Sequence, residues 1–132
     1  MTGKVRAILD TNIAIGLILS DPEISQKLQF LHDEGVIFCM SVISKCELLS
    51  GAKDTKEIEQ IINLGNDNFI EVSNEIAQIA GEIRREQKQR YGRIIKTPDA
   101  LIIATARIYE LSLYTKDRGM HFVEEYGVIL IK

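Results

Sequence analysis

At 132 residues, 45% apolar and 27% charged, the chain is long enough for one domain with a real core and has an ordinary soluble composition. No apolar run approaches the ~18–20 residues that span a bilayer, so no membrane segment is expected. A net charge of −3 argues against tight, non-specific coating of DNA. Met1-Thr2-Gly3-Lys4 leads straight into the first apolar run, so no signal peptide is expected and a cytoplasmic location follows. Cys39 and Cys46 lie in apolar surroundings without metal-ligand spacing, and read as two reduced, packed thiols.

Val5 to Leu9 read as a buried strand that stops at Asp10-Thr11-Asn12. Asn12 to Leu19 is apolar and helical. Asp21-Pro22-Glu23 starts a second helix, with Asp21 as cap and Pro22 first. Ile24, Leu28 and Leu31 share one of its faces. Val36 to Met40 is a second strand. Ser41 opens a helix that Gly51 closes, with Glu47 set among Val42, Ile43, Cys46, Leu48 and Leu49. Lys53 to Leu64 is an amphipathic helix and Phe69 to Val72 a short strand. Ser73 caps a long helix carrying Ile76, Ile79, Ala80 and Ile83. Thr97-Pro98-Asp99 punctuates the start of an apolar helix, with Thr97 as cap. Leu111 to Tyr114 and Val128 to Ile131 are the last strands. Strands alternate with helices, which predicts a three-layer α/β/α sandwich over residues 1–132, around a mainly parallel sheet of about five short strands.

Four acids stand out. Asp10 follows a buried strand, where ligands collect in open α/β sheets, though Asp-Thr-Asn is also good capping chemistry. Glu47 interrupts an apolar helix face, where an unpaired buried carboxylate is costly. Asp99 lies in a helix first turn and Asp117 just past a strand. The carboxyl ends of parallel strands share one edge, and the helices that follow start there, so the four can converge. Several ionised carboxylates crowd together only around a cation, and oxygen ligands suit Mg²⁺ or Mn²⁺. Such an ion activates water and steadies the leaving oxygen of a phosphodiester. Without these four, 15 acids face 16 Lys and Arg, a balance of +1. His32 reads as a surface or capping residue, and His121 as at most a neighbour of the site.

The pieces Ile8-Leu9-Asp10-Thr11-Asn12, Ser41 to Leu48, Pro98 to Ala106 and Tyr114-Thr115-Lys116-Asp117 together resemble a PIN domain, most of all the toxin nuclease of a VapC-type toxin–antitoxin pair. The resemblance covers essentially the whole chain. It implies a Mg²⁺- or Mn²⁺-dependent endoribonuclease, a homodimer, and inhibition by a small cognate antitoxin. Asp10, Glu47 and Asp99 match the family's core acids as catalytic, metal-binding residues, and Asp117 its more variable fourth. Thr11, Asn12 and Thr115 match supporting positions. Family members often carry an Asp-Phe pair after the fourth acid. Here the region reads Arg118-Gly119-Met120-His121-Phe122, one residue longer, so Asp117 serves alone or the outer metal position is weakened.

Residues 82–96 hold Arg84, Arg85, Lys88, Arg90, Arg93 and Lys96 against Glu82 and Glu86, a balance of +4. The stretch reads either as a solvated helix end or as a grip on RNA phosphates, with Arg90, Arg93 and Lys96 nearest the site. Tyr91 is its only aromatic, so base stacking is not a visible source of sequence preference. The apolar residues Ile13, Ile15, Leu17, Ile18, Ile24 and Leu28 serve core packing, with part left for a dimer mate or an antitoxin helix. An RNA-processing PIN nuclease and a catalytically silent PIN binding module are the alternatives. A phosphoacceptor domain fits poorly, because Asp10 has no acidic neighbour. A dehalogenase-like phosphatase would need Asp at position 12.

Overall fold

The computed structural model describes residues 5–65 and 68–131. Strand β1 (Arg6–Leu9) is followed by α1 (Thr11–Ile18) and α2 (Pro22–Asp33), then β2 (Ile37–Ser41), α3 (Val42–Ser50) and α4 (Thr55–Gly65). Next come β3 (Phe69–Ile70), α5 (Asn74–Tyr91), α6 (Thr97–Ile108) and β4 (Ser112–Tyr114), and a 3-10 segment runs over Arg118–Tyr126. The four strands are all parallel, in the order β3-β2-β1-β4.

Alternation along the strands divides the core into two. Ile8, Cys39 and Leu113 point to the face covered by α5 and α6, where they meet Ile76, Ile83 and Ile103. Leu9, Met40 and Tyr114 point to the other face, packed by Ile13, Ile24, Leu28 and Ile61 from α1, α2 and α4. This is the expected period-2 partition of a sheet covered on both sides. The expected α/β/α sandwich is therefore what the chain forms.

The strand order also fixes where a crevice opens. From β1 the chain moves outward to β2 and β3, then crosses back to pair β4 with the other side of β1. The order thus reverses at β1 and β4. In parallel sheets this is where the connecting helices part to opposite faces and leave a cleft at the carboxyl edge.

Local chemistry sets the helix ends. The Asp21 carboxylate accepts from the N–H groups of Glu23 (3.0 Å) and Ile24 (3.3 Å), with Pro22 in the first turn. Ser73 caps α5 by accepting from Ile76 N–H at 3.1 Å. Gly92, at φ +64°, ends α5 and donates its N–H to the Lys88 carbonyl; the left-handed conformation suits glycine there. A Cβ at Gly16 would run into the Ile24 side chain, so glycine is what lets α2 lie directly on α1.

Several expectations need correction. The last segment makes one isolated bridge, Leu113 to Leu130, so the sheet has four strands rather than five. Leu113 N–H donates to the Ile129 carbonyl and Ile131 N–H to the Leu113 carbonyl, and the parallel pairing extends no further than this one residue. Helix α4 begins at Thr55, not Lys53, because Asp54 takes the Glu57 N–H at 2.9 Å. Thr97 is not the cap of α6: Lys96 holds that position without a side-chain bond, and Thr97 and Pro98 form the first turn. Cys39 is buried and donates to the Ala7 carbonyl, but Cys46 is exposed rather than packed. Among the described residues no helix is long and apolar enough to cross a membrane.

Candidate active site

The carboxyl edge at the strand reversal gathers the four acids. Asp10 is the first residue past β1 and is 4% exposed. Its N–H donates to the Tyr114 carbonyl at 2.9 Å, which ties the ends of β1 and β4 together. One carboxylate oxygen accepts from Thr11 N–H at 2.8 Å, so Asp10 also caps α1. The other accepts from the Thr115 hydroxyl at 2.7 Å. Capping and placement in the crevice are thus compatible, because the two oxygens serve different partners.

Thr115 is a hub. Its hydroxyl donates to Asp10 and accepts from Asn12 Nδ2 at 3.3 Å and Asp117 N–H at 3.0 Å. That uses the one donor and both lone pairs of a hydroxyl. Asn12 Oδ1 accepts from Lys116 N–H at 3.2 Å, and Asp117 Oδ1 from Gly119 N–H at 2.8 Å. The turn leaving β4 is therefore pinned to the residues leaving β1. Thr115→Val keeps the shape and removes all three bonds. It should destabilise the fold by about 1–3 kcal/mol; an unchanged denaturant midpoint would refute this account of the hub.

Glu47 stands differently from its expected place. It is not buried but exposed on the outer side of α3, together with Cys46. The buried positions of α3 are Ser44 and Leu48. Glu47 reaches the crevice from its lip, where Oε1 accepts from the Thr11 hydroxyl at 2.7 Å. Thr11 Oγ1 also lies 2.8 Å from Ser44 Oγ. Thr11 has one proton and gives it to the carboxylate, so Ser44 is the donor in the second bond. Ser44 was not singled out from the sequence. Its signal was the i, i+3 spacing to Glu47, which puts a hydroxyl and an acid on neighbouring surfaces of one helix.

Asp99 lies half-buried in the first turn of α6 and shares a cleft of about 400 Å³ with Asp117, Arg93 and Lys96. Burial raises its pKa above the ordinary carboxylate range, and the charges of Asp10, Asp117 and Glu47 push it further, while Lys96 opposes. Burial likewise raises Asp10, against the bonds from Thr115 and Thr11; Asp117 and Glu47 add to the rise. The four acids therefore share one electrostatic field. Neither ion pair among the described residues, Arg90–Glu86 or Lys116–Asp21, neutralises any of them.

A raised folded pKa means that the native state holds the proton more tightly than the unfolded chain. Below the ordinary carboxylate range both states are protonated and Asp99 costs nothing. As pH rises through the ordinary value and then the raised one, folding demands proton release and stability falls to a lower plateau. Asp99→Asn should therefore raise the melting temperature at neutral pH in metal-free buffer and flatten this part of the pH profile. A lower melting temperature for the variant at pH 7 would contradict this reading.

The donor set suits a divalent ion. All four groups offer oxygen, and their mutual repulsion is what a hard cation would relieve. Among the described residues no three His, Cys, Asp or Glu side chains already form a cage. Mg²⁺ does not require one, because it keeps several waters and takes one or two carboxylates directly. The residues fit such an ion.

The basic residues separate. Lys96 and Arg93 line the Asp99 cleft, whereas Arg90 faces Glu86 at 4.0 Å and does not. Arg93 is held: Nη1 donates to Gln87 Oε1 at 2.6 Å, and its guanidinium lies 5.1 Å from the Phe122 ring centre and 5.5 Å from that of Tyr91. Buried Gln87 passes this on to Tyr126 and Glu86. Phe122 is buried in the 3-10 segment and His121 is exposed, outside the Asp99 cleft.

A parallel α/β domain with a cluster of carboxylates at its strand reversal is the class that fold and site define. The chain belongs to the PIN domain family, whose model matches residues 7–125. Among solved structures it is similar to VapBC2 from Rickettsia felis bound to a promoter DNA fragment, at 24% identity over 96% of this chain and 98% of that chain (TM-score 0.78). It is also similar to a toxin–antitoxin complex from Klebsiella pneumoniae, at 29% identity over 87% and 92% (TM-score 0.70). A third likeness is to VapBC-1 from nontypeable Haemophilus influenzae, at 22% identity over 97% and 98% (TM-score 0.73). No curated protein matches the chain.

Proposed function

We propose that this PIN domain is a divalent-metal-dependent endoribonuclease and the toxin of a type II toxin–antitoxin pair. The observation that carries the reading is the convergence of four acids at one sheet edge: Thr115 links Asp10 to Asp117, Thr11 links Asp10 to Glu47, and Asp99 shares a cleft with Asp117, with no cation ion-paired to any of them among the described residues. Asp10 and Asp99 are assigned the inner metal contacts, and Glu47 and Asp117 the outer ones. When bound, Mg²⁺ or Mn²⁺ supplies an activated water and charge stabilisation for phosphodiester hydrolysis. Thr11, Asn12 and Thr115 hold the acids in register, so that little reorganisation is needed on binding. Ser44 holds Thr11 on Glu47. Lys96 and Arg93 are assigned to RNA phosphates.

The toxin assignment is supported by the toxin–antitoxin complexes among the similar structures, including the one from Klebsiella pneumoniae. A small cognate antitoxin, a homodimer and a cytoplasmic location belong to the same proposal, with residues 1–132 as one nuclease domain. The test is cleavage of a mixed structured RNA by purified protein with Mg²⁺, with Mn²⁺ and with EDTA. Cutting that needs metal is expected. Wild-type protein that leaves RNA intact with either ion would sink the nuclease reading. Growth arrest on expression, relieved by a small neighbouring open reading frame, tests the toxin assignment separately.

A further inference from the structure

A second cleft, of about 720 Å³, opens between α2 and the segment that leaves β4. Thr115, Lys116 and Arg118 line it, whereas Asp117 and Gly119 line the cleft of Asp99. One short turn is therefore a low wall between the acids and this second space. Across from the wall, α2 contributes Glu23, Lys27 and Phe30, which recur at helical spacing on one face.

The chemistry of the lining is mixed in a telling way. Lys27, Lys116 and Arg118 line it with one acid, Glu23, and Lys116 is paired at 3.8 Å with Asp21 beside it, which leaves Lys27 and Arg118 as the cations without an acid partner among the described ion pairs. Phe30 is 56% exposed, and the Lys27 ammonium sits 5.6 Å from its ring centre. Tyr114, half-buried at the end of β4 and packed against the core on the α2 side, forms part of the cleft's floor. Protein interfaces deplete lysine and other charges at their cores. A groove that joins cations to an exposed aromatic ring is instead how single-stranded nucleic acid is held, by backbone charge and base stacking. The neighbouring acids repel phosphate where metal does not neutralise them, and cations on this side of the turn add to those of Lys96 and Arg93 in drawing an RNA strand in.

We propose that this cleft is a nucleotide subsite. It holds the base and phosphate of a single-stranded RNA nucleotide next to the bond cut at the acid site, with Phe30 as the stacking surface and Lys27 and Arg118 as phosphate contacts. The proposal rests on the nuclease reading and adds a base-stacking contact beside the acids.

Phe30→Ala, Phe30→Tyr and Lys27→Ala test it, since both positions lie away from the acids. Affinity is read with a single-stranded RNA of about ten nucleotides carrying 2-aminopurine, in an Asp99→Asn background that spares the RNA. Phe30→Ala should weaken binding about 5- to 10-fold and lose the stacking quench, while Phe30→Tyr keeps both. Lys27→Ala should lower the salt slope by about 0.7, one phosphate contact to a single strand. With Asp99 restored, KM should rise by a similar factor and kcat should hold. Wild-type cutting with variants that bind and cut equally well overturns the subsite and leaves the nuclease reading intact. A change of oligomeric state without a change in RNA affinity also overturns it, and makes the face a protein interface. Wild-type protein that neither binds nor cuts RNA removes both readings.

Discussion

Asp10→Asn is expected to abolish metal-dependent RNA cleavage, lowering kcat/KM by at least about 1,000-fold, or about 4 kcal/mol of transition-state stabilisation. The substitution removes the charge and keeps the cap, although asparagine's Nδ2 cannot accept from the Thr115 hydroxyl as the Asp10 carboxylate does. Asparagine still caps a helix well, so the bond from Thr11 N–H and the start of α1 survive. What disappears is the anion at the most enclosed point of the crevice, the group proposed to meet the metal first. Asp10→Ala would confound the test by removing the cap as well. The companion readout is thermal: Mg²⁺ should raise the melting temperature of wild type and leave Asp10→Asn unmoved. Cleavage that persists in the variant, with an unchanged response to EDTA, would place the chemistry elsewhere.

The second large effect concerns the support of the site. Ile103→Ala should destabilise the fold by about 3–4 kcal/mol, lowering the melting temperature by roughly 10–15 °C. Ile103 is 0% exposed in the core between α6 and the sheet, with Ile8 and Leu113 among its cluster. Truncation leaves a cavity that a sheet buried on both faces cannot close by collapse. Ile103 also lies one turn after Asp99, on the same side of α6. Ile103→Val, which removes a single methylene, should cost only about 1 kcal/mol. Equal losses for the two variants would show that cavity size is not what matters there.

What could be read from the sequence was whatever a short window encodes. An apolar run ended by Asp10, the Asp21-Pro22 start and the alternation of strands with helices were enough for a parallel sandwich with acids at one edge. The fifth strand was misjudged because Val128 to Ile131 is apolar, yet whether it pairs depends on how much of Leu113's edge lies within reach. Glu47 was misplaced for a related reason. Apolar neighbours on α3 suggested burial, but the face a helix buries is set by what packs on it, and here Ser44 and Leu48 turn inward. Thr115 as a hub and Ser44 as the donor behind Thr11 depend on residues 105 and 33 positions apart, which no local pattern records. Phe30 drew no attention in the sequence, because its exposure beside Lys27 depends on how α2 sits on the sheet.

The pairing of β1 with β4 has a consequence for synthesis. Chains emerge from the ribosome N-terminus first, at about 5–20 residues per second. When β1, β2 and the helices between them are already available, the strand that completes the crevice has not been made. The bond from Thr115 to Asp10 closes a separation of 105 positions, and contacts so remote in sequence form late. A nascent or truncated chain therefore carries its acids unassembled. Whatever activity the crevice has begins only once β4 and the turn that carries Thr115 and Asp117 have been made.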